Sequence, residues 1–120
     1  QMICANAGQS YPISIADKTG EKMFVSLPST PLGISLETKF RKHQISLEGR
    51  TVVLYSDGAV NLPDRQGEKL GHEAFLEIVQ QSLKADPRNP SEEILKRLNQ
   101  VSMQVPWRDD ITVMCIQNRI

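Results

Sequence analysis

The residues in this chain best suited to chemistry are three aspartates in two short loops. Asp57 lies in Ser56-Asp57-Gly58, while Asp109 and Asp110 open Asp109-Asp110-Ile111-Thr112. The first loop follows the apolar run Thr51-Val52-Val53-Leu54-Tyr55, and the second leads into Ile111-Thr112-Val113-Met114-Cys115-Ile116. If those runs are neighbouring strands, the carboxylates meet at one sheet edge. Gly58 would let the backbone turn away tightly after Asp57. Clustered carboxylates repel one another unless a proton or a cation comes between them. Hard oxygen donors without Cys or suitably spaced His favour Mg²⁺ or Mn²⁺ over Zn²⁺. Two such ions can activate water and clamp the oxygens of a phosphate ester. Each motif is also an ordinary one, since Asp-Gly is a common turn and aspartate before a strand is often only solvated. From the residues alone, both readings stay open.

The elements that must position these loops are legible from periodicity. Ile13 and Ile15 alternate with polar neighbours, Asp17-Lys18-Thr19-Gly20 supplies a turn, and Met23, Val25 and Leu27 alternate again. This is a hairpin, with Gly20 able to take the positive φ a short loop requires. Pro28 to Gly33 reads as a loop. Residues 38–47 read as a further strand with a bulge, because Phe40 and Ile45 fall out of phase. Residues 51–55 are apolar on both faces, as a central strand covered on two sides would be. Leu70, Ala74, Phe75, Ile78, Val79 and Leu83 recur at three- and four-residue intervals and predict an amphipathic helix. Asn89-Pro90-Ser91-Glu92 predicts a second helix, with Asn89 as cap and Glu92 reaching back to it. Its buried stripe would be Ile94, Leu95, Leu98, Val101 and Val105, and Pro106-Trp107-Arg108 would end it. The order, β-rich then two helices then β, points to an α+β layered fold.

Composition narrows the function classes. The 120 residues suit one domain or a piece of one. Fourteen basic residues balance fourteen acidic ones, and only Lys39-Phe40-Arg41-Lys42-His43 is clustered. Without a basic excess on one face, a nucleic-acid partner is not expected. No apolar run approaches the ~20 residues that span a bilayer, and no membrane partner is expected. Cys4 and Cys115 sit in apolar stretches and read as buried free thiols, which suits a cytoplasmic protein. His43 and His72 lack metal-ligand spacing and read as surface residues, and Trp107 reads as a packing anchor at a helix end. The chain opens on Gln1 and enters a strand-like stretch at once, so an upstream portion is expected.

A series of landmarks carries a family resemblance. Leu54-Tyr55-Ser56-Asp57-Gly58, Gly67-Glu68-Lys69-Leu70-Gly71 and Asp109-Asp110-Ile111-Thr112 resemble motifs of the PPM-type metal-dependent serine/threonine phosphatases. Ala5-Asn6-Ala7-Gly8 and Pro31-Leu32-Gly33 resemble earlier landmarks of the bacterial SpoIIE-like branch. The resemblance covers essentially the whole chain, in order. It implies the C-terminal half of a layered α-β-β-α sandwich, antiparallel sheets flanked by two helices, across residues 1–120.

The resemblance implies metal-ligand roles for Asp57 and Asp109, with Asp110 standing where many relatives have Asn. Gly58, Asn6, Gly8 and Gly33 match positions expected to shape the scaffold near the site. Two Mn²⁺ or Mg²⁺ ions would serve the complete domain. The substrate would be a phosphoprotein, an anti-anti-sigma-type regulator, with a sensor or receiver domain upstream. The family's other ligands lie in an N-terminal Gly-Asp motif that nothing here matches, since Ile15-Ala16-Asp17 belongs to a hairpin turn. Gln9 replaces a frequent His, and Asn61 replaces a frequent Glu. The 120 residues alone are therefore expected to be inactive and, with apolar edges bared, to form a homodimer or swapped assembly. The alternative reading is a non-catalytic interaction module built on the same fold.

Overall fold

A four-stranded antiparallel sheet is the frame on which everything else is hung. The computed structural model describes residues 1–102 and 106–118. The strands are β1 (Met2–Cys4), β2 (Ile13–Ala16), β3 (Lys22–Phe24), β4 (His43–Ile45), β5 (Arg50–Tyr55) and β6 (Val113–Gln117). The helices are α1 (Asp57–Val60), α2 (His72–Ala85) and α3 (Pro90–Val101). The larger sheet has the order β3-β2-β5-β6, and β1 pairs with β4 in a second, two-stranded sheet. All the pairings are antiparallel. The molecule is thus α+β, with two antiparallel sheets and three helices among the described residues.

One face of the large sheet is covered by helices. Ile13, Ile15, Val53 and Tyr55 from the strands form one buried cluster with Phe75, Leu76, Val79 and Leu83 of α2 and Ile94 and Leu98 of α3. The three- and four-residue spacing of the helical members gives each helix a single apolar stripe. Ser82 is buried in that stripe, and its hydroxyl donates to the Ile78 carbonyl at 2.7 Å. Val105, expected in the second helix's stripe, lies outside the described residues.

The hairpin forms where expected, but its second strand has the opposite phase. Ile13 pairs with both Phe24 and Val53, so Phe24 shares their face and packs against the main cluster. Met23 pairs with Ser14 on the other face and is 48% exposed. A one-residue change of register exchanges the two faces of a strand. Lys22 therefore sits on the helix side, where its ammonium pairs with Glu77 and donates to Gln80 of α2.

Three further expectations are corrected. Residues 38–42 form no strand, and β4 is confined to His43–Ile45 because β1, its partner among the described residues, is equally short. The Asn89 side chain makes no capping bond. Asp86 Oδ1 instead accepts the amides of Arg88 and Asn89 just before α3. Cys4 and Cys115 are free but half-buried rather than buried. His43 is half-buried in β4 and His72 is exposed, edge-on to Phe24. Trp107 is 38% exposed, and its indole donates to Ser102 Oγ at 2.8 Å, an anchor beside the end of α3. Among the described residues no helix is long and apolar enough to cross a membrane.

Two tests follow from this packing. Phe75 is fully buried with its ring 4.7 Å from that of Tyr55. Phe75→Ala should cost about 3–5 kcal/mol of unfolding free energy in urea titrations. Burial pushes the Cys115 thiol up to about 11. Folding thus favours the protonated thiol, a contribution intact below the ordinary thiol range and lost as pH rises through about 11. At pH 8, alkylation of Cys115 should be about 100-fold slower in the folded chain than in urea, because only the thiolate reacts. Mass spectrometry of the modified peptide reads the rate.

Candidate metal centre

The two acidic loops are adjacent because β5 and β6 are. Their ladder ends with Tyr55 opposite Val113, which brings Ser56 beside Thr112. The pairing then continues through side-chain and main-chain bonds together. Ser56 N–H donates to the Thr112 carbonyl at 3.0 Å, and Thr112 N–H donates to Ser56 Oγ at 2.9 Å. The Ser56 hydroxyl in turn donates to the Asp110 carbonyl at 3.3 Å. A serine was expected here only as part of a motif. It is the residue that ties one acidic loop to the other.

Gly58 has a different role from the one its sequence position suggests. It is the second residue of α1 and does not adopt positive φ. A Cβ at this position would lie 2.2 Å from the Asp110 carbonyl oxygen and 3.3 Å from Asp109 Cβ. Real atoms do not approach so closely, so glycine is required by the neighbouring backbone and not by a turn. The contact brings Asp109 against the loop that carries Asp57. Asp110 joins it through its main-chain carbonyl, and its carboxylate is exposed.

The carboxylates themselves face outward. Asp57, Asp109 and Asp110 are all exposed. Asp57 Oδ1 accepts a hydrogen bond from Ser10 Oγ at 2.8 Å. Among the described residues, no group of three or more His, Cys, Asp or Glu side chains is gathered closely enough to hold a metal ion. Two exposed hard-oxygen donors fit part of a Mg²⁺ or Mn²⁺ coordination shell and cannot complete one. Just inside the edge, Tyr55 is buried with its hydroxyl unpartnered among the described residues. Burial, and then the charge of Asp57, push its phenol up to about 12.

The remaining landmarks divide into two groups. Asn6 closes a turn by accepting the Gln9 amide at 2.9 Å and donating to the Gln9 carbonyl at 3.0 Å. It also donates to the Leu27 carbonyl at 2.9 Å. Gly8 has φ of +82°, and a Cβ there would meet Pro31 at 2.6 Å. Both residues therefore fix the loop that ends at Ser10. Gly33 has φ of +84° with nothing within 4 Å, so it shapes an exposed turn and touches no part of the site. Asn61 terminates α1, its amide bonded to the Asp57 carbonyl. Asp17 lies at the far end of β5, where its carboxylate accepts from Thr51. Ser10 was missed by sequence reasoning, and no local signal marks a contact across 47 residues.

Similarity to known solved structures concerns the fold. The SiaA-PP2C domain of Pseudomonas aeruginosa superposes with a TM-score of 0.69 at 18% identity, over 92% of this chain and 44% of that one. A structure of RsbU and RsbW domains from Mycobacterium tuberculosis gives 0.67 at 22% identity, over 98% and 32%. The PPM Ser-Thr phosphatase MsPP of Mycobacterium smegmatis gives 0.59 at 17% identity, over 96% and 55%. At these identities the likeness establishes the fold. The chain spans about half or less of the length of each of these structures. No curated protein sequence matches it. The sequence model of the family described as Stage II sporulation protein E matches residues 1–119, and the chain therefore belongs to the SpoIIE family.

Proposed function

We propose that this chain supplies Asp57 and Asp109 to the divalent-cation site of a PP2C-type serine/threonine phosphatase acting in bacterial signalling. The observation that carries the reading is the approach of Gly58 to Asp110, which presses the two acidic loops together. When bound, Mn²⁺ or Mg²⁺ supplies the electrophilic chemistry that phosphate-ester hydrolysis needs. The chain's own residues hold and aim the donors. Ser56 locks the loops in register, Gly58 lets them touch, and the exposed carboxylates remain open to ligand. Asp110, the third candidate ligand, stands where many relatives have Asn, and its carbonyl is the atom that Ser56 and Gly58 meet. The remaining donors come from outside these residues, in the portion expected upstream. A phosphoprotein substrate of the anti-anti-sigma type suits a family whose structural neighbours include a protein with RsbU and RsbW domains.

The test is made in a protein that joins this chain to the rest of its phosphatase domain. Asp57→Asn and Asp109→Asn should each lower Mn²⁺-dependent turnover of a phosphopeptide by more than the ~10–100-fold typical of outer-shell changes. Gly58→Ala should do similar damage by forcing the loops apart, while Asp110→Asn should change little. Full activity in Asp57→Asn and Asp109→Asn would instead favour the interaction module. The 120 residues alone should turn over no substrate.

We also propose that the isolated chain self-associates. Ile3 of β1 is 63% exposed, and Leu32, Ile34 and Leu36 on the segment between β3 and β4 are more exposed still. Exposed apolar side chains in water favour association. Sedimentation should show a dimer or larger species, and a clean monomer across the micromolar range would refute it.

A further inference from the structure

Among the described residues, Ser10 alone reaches a carboxylate of the candidate site from outside the two acidic loops. Its hydroxyl donates to Asp57 Oδ1 at 2.8 Å. Asp57 is exposed at the first position of a one-turn helix, so packing does not fix its side chain. A donor held by a rigid neighbour would.

The Asn6–Ser10 loop is such a neighbour. The Asn6 side chain closes the turn on both the amide and the carbonyl of Gln9 and anchors it to Leu27. Gly8 N–H donates to Ser29 Oγ at 2.9 Å, and the Gly8 backbone lies against Pro31 with no room for a Cβ. Ser10 thus emerges from a segment pinned at Leu27, Ser29 and Pro31. The donor type matters as well. A lysine or arginine in this place would hold the carboxylate but would also repel a cation. A neutral hydroxyl orients Oδ1 and leaves the charge of the carboxylate, and Oδ2, available.

We propose that Ser10 is a positioning residue that holds Asp57 in one rotamer for cation binding. This rests on the assignment of Asp57 as a metal ligand, and the experiment separates the two. Wild type, Ser10→Ala, Ser10→Thr and Asp57→Asn are prepared in the protein that joins this chain to the rest of its phosphatase domain. Without metal, the Hα–Hβ couplings of Asp57 report its rotamer by NMR. With metal, electron paramagnetic resonance of free Mn²⁺ gives the affinity.

Wild type and Ser10→Thr should show couplings of a single rotamer. Ser10→Ala should show averaged couplings and about three- to tenfold weaker Mn²⁺ binding, the loss of one exposed hydrogen bond. Its thermal midpoint should stay that of wild type. Wild-type couplings and affinity in Ser10→Ala, with Mn²⁺ binding lost in Asp57→Asn, would overturn the role of Ser10 and leave the metal assignment standing. A loss in Ser10→Ala that Ser10→Thr does not restore would also overturn it. If Asp57→Asn binds Mn²⁺ as wild type does, the metal assignment falls and the role of Ser10 falls with it.

Discussion

The close approach of the Gly58 backbone to the Asp110 carbonyl is the constraint on which the acidic edge depends. Two strands that pair side by side still splay their end loops unless something holds them together. Here the ladder between β5 and β6 is prolonged by Ser56, which uses both its amide and its hydroxyl on the opposite loop. A side chain at residue 58 would occupy the space the carbonyl fills. The edge therefore tolerates only glycine there, for a steric reason unrelated to the conformational freedom that usually selects it.

That edge is only as firm as the sheet behind it. β5 is central, with β2 on one side and β6 on the other, and its helix-facing residues are buried under α2 and α3. Tyr55 closes this core directly beneath Asp57, and its ring lies against Phe75. The far end of the same strand is fixed by polar groups. Thr51 donates to Asp17 and accepts from Gln117, and Arg50 donates to Ser14 at 2.7 Å. One strand thus carries a structural polar cluster at its start and exposed carboxylates at its finish. The first is satisfied within the protein, and the second leaves Asp109 open to solvent.

Much of this was legible in the sequence, and the failures have identifiable causes. The helices could be read because a 3.6-residue repeat of apolar positions survives any choice of neighbours. The hairpin could be read because Gly20 and the flanking alternation agree. The phase of β3 could not, since Met23 and Phe24 are both apolar and only pairing with Ile13 selects Phe24 for the core. The strand expected over residues 38–47 shrank because strands exist only where a partner offers a ladder. Asn89 has the right identity for a cap, but its side chain makes no capping bond, and Asp86 fixes the turn before the helix through the amides of Arg88 and Asn89.

For the site, the sequence by itself determined which groups are present: acidic residues at the ends of two apolar strands, and glycine between them. Side-chain chemistry and strand propensity are local properties, so composition and spacing reveal them. Only the tertiary structure decided that the Asp110 carbonyl meets Ser56 and Gly58, that Gly58 answers to a neighbour's backbone, and that Ser10 meets Asp57. Those are contacts between segments 47 to 56 residues apart. They arise when sheet pairing fixes distances that no single stretch of chain encodes. The two acidic loops were visible as residues, but their joining into one edge is a property of the fold.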